Sequence, residues 1–226
     1  MTEFGLFEAT HTARALRRFK PDAVPDEAIA KVIDAGVRAP TGSNLQNWRF
    51  VVVKDQAVRQ QLGDLYRASI VIAQKVLSYR QRPAHMTEKL QRQMYAAAQH
   101  LADHFAEEVP VLLLAWLKLP PDEDNPNLSH EEAQTYLRLS GASIYGAVQN
   151  MILACCVLGL GTVLTTVLAY KEAETRKLLG ASPDMKLFAV LPIGYPVEGH
   201  GHGPVRRLPI SNVAYVDGFI ENWSAK

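Results

Sequence analysis

The sequence predicts an α+β fold in which a central sheet is sandwiched by helices. Helices and short strands alternate along the 226 residues, and two of the predicted helices are long. Three apolar runs have the length of buried strands: Phe50–Val53, Val111–Leu117 and Leu187–Ile193. There is no internal repeat, and we expect residues 1–226 to form a single domain.

The composition argues against several classes of partner. Apolar residues make up 48% of the chain, which is enough for one compact domain with a sizeable core. The formal net charge is +1, with acidic and basic residues interspersed, so neither nucleic acid nor an anionic membrane is expected as the main partner. Local clusters of basic residues therefore need a local explanation.

The cysteines and the N-terminus predict a cytoplasmic protein. Cys155 and Cys156 are adjacent within an apolar helical stretch and are poorly placed for a structural disulfide, which fits a reducing compartment. Residues 1–8 show no basic leader followed by an apolar signal core. The longest apolar run, Met151–Leu158, is too short to span a bilayer, so we expect a buried helix and no membrane anchor.

The first half of the chain predicts helices around two strands. Residues 26–38 form a helix, since apolar residues recur on one face after an acidic first turn. Phe50–Val53 is predicted to be a short, fully buried strand that ends at residues 54–56. Residues 56–108 are helical and charged, with breaks at Pro83 and at the Val109–Pro110 step. Val111–Leu117 is a second buried strand, and the loop at 120–127 is either solvated or a lid.

The second half begins with a predicted helix over residues 130–158, on the order of 40 Å long, which would form the spine of the fold. Gly159 and Gly161 stop this helix, and Thr162–Val167 follows as a strand or extended segment. A short helix at 171–179 and a last strand, Leu187–Ile193, precede a turn-rich region with an aromatic tail.

Two segments near the start of the chain point to a ligand. In residues 14–19, Arg-Ala-Leu-Arg-Arg-Phe, guanidinium groups cluster at a predicted helix end and suit a phosphate, because they stay charged and bond it in a forked geometry. Residues 39–48, Ala-Pro-Thr-Gly-Ser-Asn-Leu-Gln-Asn-Trp, offer hydroxyls, amides and free backbone N–H groups. A solvated basic helix end followed by an ordinary turn is the alternative interpretation.

Together these segments resemble the start of the nitroreductase family of FMN-dependent flavoproteins. In that family an Arg-Ser-x-Arg-x-Phe segment is followed, after one amphipathic helix, by Ala-Pro-Ser-x-x-Asn-x-Gln-Pro-Trp. The resemblance implies a mostly antiparallel sheet, an intertwined homodimer in which the C-terminal tail embraces the partner, and a flavin at the subunit interface.

The resemblance also implies which residues contact FMN. Arg14, Arg17 and Arg207 match phosphate-binding positions, with Arg18 and Arg206 as the next candidates. Three departures occur in or beside the matched motifs, at Ala15, Asn47 and Val205, where many members have Ser, Pro and Lys. The remaining expected contacts are Ala15 in the arginine segment, Pro40, Thr41, Gly42 and Asn44 across the dimer, Ser143, Thr165 and Thr166 beside the ring, and Pro192, Ile193 and Gly194 beside the ribityl chain. For the two threonines, filling a strand with β-branched residues is an equal alternative.

Other site classes have less support. A Rossmann Gly-x-Gly-x-x-Gly and a Gly-x-Ser-x-Gly elbow are both absent from the sequence. His100 and His104 share a helical face, but the metalloprotease pattern fails and a surface helix is the stronger interpretation. His200 and His202 lie in a glycine-rich turn. We therefore expect no metal and no separate catalytic residue, because the flavin would carry the chemistry.

The function implied by the resemblance is ping-pong hydride transfer. NADH or NADPH would reduce the flavin and leave, and a small acceptor such as a nitroaromatic, quinone or enone would follow. Related branches dehalogenate iodotyrosine or fragment the flavin. Two alternatives from other classes are a non-catalytic flavin-binding protein and a soluble dimer without cofactor.

Overall fold

The centre of the structure is a four-stranded antiparallel sheet with the strand order β1-β2-β4-β3. A computed structural model describes residues 5–77, 81–119 and 127–223. The sheet strands are β1 (Trp48–Val53), β2 (Val111–Lys118), β3 (Gly161–Thr162) and β4 (Met185–Gly194). A separate hairpin in the tail pairs β5 (Tyr215–Val216) with β6 (Glu221–Asn222). The predicted α+β fold with a mostly antiparallel sheet is confirmed.

Seven α-helices surround this sheet in the described part of the chain. They are α1 (Leu6–Thr12), α2 (Asp26–Gly36), α3 (Gln56–Leu77), α4 (Glu88–Asp103), α5 (His130–Ser140), α6 (Ala142–Val157) and α7 (Glu172–Leu179). Their ends follow local chemistry. Ser129 and Glu132 form a reciprocal capping box at the start of α5, and Gly180 ends α7 in a left-handed conformation with φ 66°.

Strand β2 separates two hydrophobic layers, because its alternate side chains enter different cores. Leu113, Ala115 and Leu117 pack with residues of α2 and α6, whereas Leu112, Leu114 and Trp116 pack with residues of α3 and α4. All seven residues from Val111 to Leu117 are fully buried, as a strand covered on both faces requires. The helices therefore sandwich the sheet as predicted.

The burial of strand β1 differs from the prediction. The sequence predicts that Phe50–Val53 is fully buried, but β1 lies at the edge of the sheet, where Phe50 and Val51 are half-buried and Val52 is 36% exposed. A continuous apolar run does not distinguish an edge strand from a central one. In the chain, the edge strand β1 begins directly after the polar loop at 41–47.

The predicted helix over residues 130–158 is interrupted at Gly141. This residue keeps helical angles, φ −55° and ψ −28°, but forms a one-residue turn between α5 and α6. In the predicted strand or extended segment over Thr162–Val167, strand pairing is confined to Gly161–Thr162, Thr165 makes an isolated bridge to Val190, and a 3₁₀ turn begins at Val167.

The stretch His130–Val157 meets the length and hydropathy criteria for crossing a membrane. Core helices meet the same criteria, and Ile144, Val148 and Met151 of this stretch are fully buried in the protein. The predicted loop at 120–127 lies outside the described residues except for Asn127, so its role as a lid or a solvated loop stays a prediction.

Candidate cofactor site

The arginine segment, residues 13–18, is a strip of chain pinned to the sheet. The sequence predicts arginines at a helix end, and the structure places this strip directly after α1, without regular secondary structure. Leu16 and Phe19 are 4% and 2% exposed and anchor the strip in the core. The N–H of Leu16 donates to the Thr162 carbonyl at 2.9 Å, and that of Lys20 donates to the Tyr195 carbonyl at 2.8 Å.

The segment at 201–207 runs beside this strip and brings two more arginines to it. Backbone N–H groups of Gly203 and Val205 donate to carbonyls of residues 12 and 11 at 3.0 and 3.1 Å. The Nε of Arg14 donates to the Gly201 carbonyl at 2.9 Å, which fixes one edge of the Arg14 guanidinium. These contacts bring Arg206 and Arg207 close to the arginines of the strip, although the two segments are far apart in sequence.

The convergence forms a cleft of about 800 Å³ lined by five arginines. No carboxylate is among its lining residues in the described chain. Five guanidinium groups around one cleft repel one another, so an anion bound among them is stabilised by the local field. The arginines are Arg14, Arg17, Arg18, Arg206 and Arg207, and the opposite wall is formed by α4 residues Leu90, Gln93, Met94, Ala96 and Ala97.

Arg17 connects the cleft to a second, smaller cavity. This half-buried side chain makes no hydrogen bond or ion pair with the described residues, and burial lowers its pKa. It lines both the cleft and an adjoining cavity of about 160 Å³. The second cavity has mostly apolar walls, with the hydroxyl-bearing residues Tyr66, Tyr95 and Thr165 among them. Unpartnered guanidinium N–H groups at such a junction favour a ligand with acceptor atoms.

Arg18 has a protein partner. Its Nη1 lies 3.2 Å from His100 Nε2, which in turn lies 2.9 Å from Glu108 Oε2. Among the described residues, one group could hold a metal ion: His100, His104 and Glu108, with ligand atoms within 4.8 Å of one another. His100 Nε2 thus already lies within hydrogen-bond distance of two protein groups, those of Arg18 and Glu108. His100 is half-buried and takes part in these contacts, whereas His104 is exposed.

The polar loop at 41–47 is held in an unusual conformation. Ser43, Asn44 and Gln46 all have positive φ, at 51°, 54° and 47°, which costs about 1 kcal/mol for a residue other than glycine. The N–H of Gln46 donates to Thr41 Oγ1 at 3.1 Å, and the N–H of Gly42 donates to Ser143 Oγ at 3.0 Å. A strained, fixed loop of this kind is typical of ligand-binding segments.

The loop contributes no residue to the lining of the arginine cleft. Pro40, Gly42 and Asn44 are exposed and Thr41 is half-buried, so one face of the loop is open to the surroundings of this chain. Ser143 contacts the loop, whereas the sequence places it beside the cofactor ring. The two opening segments therefore do not form one site within a single chain.

The remaining predicted residues divide into three groups. Ala15 lines the cleft, and Thr165 lines the second cavity while Thr166 is exposed. Pro192 and Gly194 are buried in β4 and line neither cavity. Their contact with a ligand stays a prediction.

Sequence reasoning missed four contributions to the site. The sequence gives helix α4 no part in the cofactor site, yet it forms a wall of the cleft. Tyr66 and His200 were also missed, as was the contact from His100 to Arg18. None of these has a local motif, because each reaches the site only through tertiary packing.

The fold and the site define an α+β protein with an arginine-lined cleft for an anionic ligand. Comparison with known protein families identifies the family to which this chain belongs. The family model "Nitroreductase family" matches residues 11–195. The chain belongs to the nitroreductase family, as the resemblance in its sequence implied.

Curated relatives include two kinds of enzyme. Iodotyrosine deiodinases from Hydra vulgaris and Thermotoga neapolitana are 24% and 27% identical over 201 and 191 residues. These alignments span 88% and 84% of this chain and 68% and 88% of the relatives. An NADH dehydrogenase from Thermus thermophilus is 27% identical over 211 residues, spanning 88% of this chain and 90% of the relative.

Solved structures show the same fold. Nitroreductase A from Vibrio parahaemolyticus superposes with a TM-score of 0.66 at 18% identity, covering 95% of this chain and 77% of that chain. NADPH:FMN oxidoreductase from Vibrio harveyi complexed with NAD⁺ gives 0.65 at 20% identity, covering 95% and 78%. Oxidised iodotyrosine deiodinase bound to FMN and 3-iodo-L-tyrosine gives 0.64 at 23% identity, covering 96% and 100%.

Proposed function

We propose that this protein is an FMN-dependent oxidoreductase that uses NADH or NADPH to reduce a small acceptor. The observation that carries the proposal is the cleft of about 800 Å³ lined by five arginines and no described carboxylate. A phosphate monoester carries close to two negative charges at neutral pH and suits such a donor set. Family membership and the FMN and NAD(P)H named for several relatives support the same choice.

The residues of the arginine cleft and those of the second cavity fit different parts of FMN. Arg14, Arg206 and Arg207 face the cleft and would hold the phosphate, with Arg14 preoriented by its bond to the Gly201 carbonyl. Arg17 stands at the junction with the apolar second cavity, where its free N–H groups reach either the phosphate or an acceptor atom of the ring. Arg18 would contribute mainly charge, since His100 engages it.

A second copy of the chain would complete the site. The strained loop at 41–47 faces outward, so its donors and acceptors would reach the flavin of the partner. The tail also exposes large apolar side chains, with Phe219 91% and Ile220 98% exposed. Burying them against a partner is favourable by about 1.5–3 kcal/mol for each large side chain. We therefore propose a homodimer, whose mass in solution should be twice 25.0 kDa.

Bound FMN would supply hydride transfer between a nicotinamide donor and the acceptor in two separate half-reactions. The chain's own contribution is orientation and electrostatics. The arginines would hold the anionic end, while the apolar walls from α3, α4 and residues 163–167 would limit water at the other end. We expect the protein to work in the cytoplasm, without nucleic acid or membrane as partner.

Anaerobic mixing with each nicotinamide donor tests this function. Loss of the oxidised flavin absorption with NADH or NADPH, and its return when a nitroaromatic or a quinone is added, is the expected result. Flavin absorption that persists with both donors would instead support a non-catalytic flavin-binding protein.

A second candidate function is reductive dehalogenation, which the iodotyrosine deiodinases among the relatives favour. The discriminating assay is iodide release from 3-iodo-L-tyrosine with chemically reduced protein. Iodide release together with no oxidation of NADH or NADPH would select this branch. Turnover of NAD(P)H with a quinone and no iodide release would select the first.

A further inference from the structure

Two histidines and a glutamate lie on successive turns at the end of α4. The N–H of His104 donates to the His100 carbonyl at 3.1 Å, and the N–H of Glu108 donates to the His104 carbonyl at 3.0 Å. The four-residue spacing of a helix thus continues past Asp103, the last residue of α4. One ligand atom from each of the three side chains lies within 4.8 Å of the other two.

His104 keeps a lone pair for a further ligand. Its Nδ1 lies 3.0 Å from the His100 carbonyl oxygen, which can only accept, so Nδ1 carries the hydrogen. In the neutral ring the lone pair is then on Nε2, away from that carbonyl. Histidines that bind metals usually donate from their other ring nitrogen in this way, often to a backbone carbonyl.

The two contacts of His100 compete for one ring nitrogen. The Arg18 guanidinium can only donate, so it needs a lone pair on His100 Nε2, 3.2 Å away. The ionised Glu108 carboxylate can only accept, so at 2.9 Å it needs a hydrogen on the same nitrogen. One nitrogen cannot satisfy both partners at once. A metal ion would accept from Nε2 and from the carboxylate together, since two ligands with bonds of about 2.0–2.2 Å to one metal lie roughly 3 Å apart.

We propose that His100, His104 and Glu108 form a binding site for a divalent transition metal ion such as Zn²⁺, which competes with Arg18 for His100 Nε2. Two imidazoles and a carboxylate are a donor set that Zn²⁺ accepts, with water in the fourth position. The His104 ring would turn to close the site, because two ligand atoms on one metal lie at most about 4.2 Å apart. Its exposure leaves it room to do so.

The proposed metal site bears on the arginine cleft through Arg18. When a metal takes the Nε2 lone pair, Arg18 loses its histidine partner. The guanidinium already lines the cleft, so it becomes free to bind an anion there. The metal would in this way control one of the five cleft arginines.

The sequence favours no metal, because the metalloprotease pattern fails at residues 100–104. That pattern describes a protease motif with a glutamate between the histidines, and it does not cover other sets of zinc ligands. Here the third ligand, Glu108, lies one turn beyond the second histidine.

Isothermal titration of the untagged protein with Zn²⁺ tests the site. We expect one Zn²⁺ per chain. Because even the outer-shell partners of a metal site contribute about 10–100-fold to metal affinity, His104→Ala and Glu108→Gln should each weaken binding by at least about tenfold. His130→Ala is the matched control, since it removes an exposed histidine of α5 outside the cluster and should leave the affinity unchanged.

Arg18→Ala gives a readout that a chance pair of surface histidines would not give. Without the guanidinium, the His100 lone pair is left to the metal, so Zn²⁺ should bind about tenfold more tightly than to the wild type. Arg14→Ala removes the same charge from the cleft, but the Nε of Arg14 donates to the Gly201 carbonyl, so its effect should be smaller.

Three results would each overturn the proposal. They are the absence of saturable Zn²⁺ binding, unchanged affinity in both His104→Ala and Glu108→Gln, and Zn²⁺ binding to Arg18→Ala that is no tighter than to Arg14→Ala. None of these measurements requires added FMN, so they decide on the metal site whatever the outcome for the proposed function.

Discussion

The hydroxyl of Ser143 accepts a hydrogen bond from the backbone N–H of Gly42 at 3.0 Å, across 101 residues of sequence. This bond ties the start of α6 to the loop at 41–47, in which Ser43, Asn44 and Gln46 adopt left-handed conformations. The other hydrogen bonds of the loop run within it or to Arg49 and Lys118, so the bond to Ser143 ties it to the helix behind it. Ser143 therefore holds the segment that would reach the partner's cofactor, and its own predicted contact with a cofactor stays a prediction.

Ser143→Ala should release this loop. The Gly42 N–H loses its acceptor, at a cost of about 1 kcal/mol, so its hydrogen exchange should become roughly fivefold faster. Ser140→Ala is the matched control, because the Ser140 hydroxyl donates only to the Leu137 carbonyl of its own helix. Equal exchange at Gly42 in the wild type and in Ser143→Ala would show that the loop is held by other contacts.

Arg14→Ala and Arg207→Ala should each weaken FMN binding by about 2 kcal/mol, because each removes a charge-assisted hydrogen bond to the phosphate. Isothermal titration or flavin fluorescence measures the effect. Arg67→Ala provides the control, since Arg67 pairs with Asp64 on the exposed face of α3. Unchanged affinity in both cleft variants would refute the assignment of the phosphate site.

Gly194→Ala should destabilise the fold. A Cβ at this position would lie 2.8 Å from Pro110 Cδ and 3.2 Å from Phe19 Cβ, inside a packed layer. We expect a loss of about 1–3 kcal/mol in the free energy of unfolding, measured by urea denaturation. Gly201→Ala, where a Cβ meets no atom within 4 Å, should be close to neutral. An equally small effect at Gly194 would mean that this packing relaxes at little cost.

Cys155 should make stability fall at high pH. Burial raises the pKa of its thiol from 9.0 to about 12, so the unfolded chain loses this proton first as pH rises. The stabilisation is complete below pH 9 and is lost between pH 9 and about 12, with a slope of at most about 1.4 kcal/mol per pH unit. Cys155→Ala should have a shallower decline over that range in urea denaturation. Identical slopes in the two proteins would contradict this.

The sequence predicts the elements whose burial pattern is strong and local. Helix α2 follows from the apolar spacing that includes Ile29 and Val32, and β2 follows from an apolar run that both layers cover. The edge position of β1 could not be predicted, because Phe50 and Val51 are equally apolar in an edge or a central strand. The interruption at Gly141 was missed because its backbone angles remain helical.

The site was predictable only where side-chain chemistry is encoded in short segments. Arg14 and Arg17 stand out in one strip, and the structure brings Arg206 and Arg207 to the same cleft. Other parts of the site depend on how distant helices pack, so no local motif predicts them. They are the α4 wall, Tyr66 and the contact from His100 to Arg18. Thr165 and Thr166 look alike in sequence, and only the bridge from Thr165 to Val190 determines which one faces the cavity.

The absorption spectrum of the purified protein, before and after FMN is added and unbound flavin removed, tests the central claim most directly. The proposed function predicts flavin bands that stay with the protein at about one FMN per chain and that diminish in Arg14→Ala and Arg207→Ala. A folded protein that is colourless, and stays colourless after incubation with FMN, would contradict it and leave the arginine cleft without its proposed ligand.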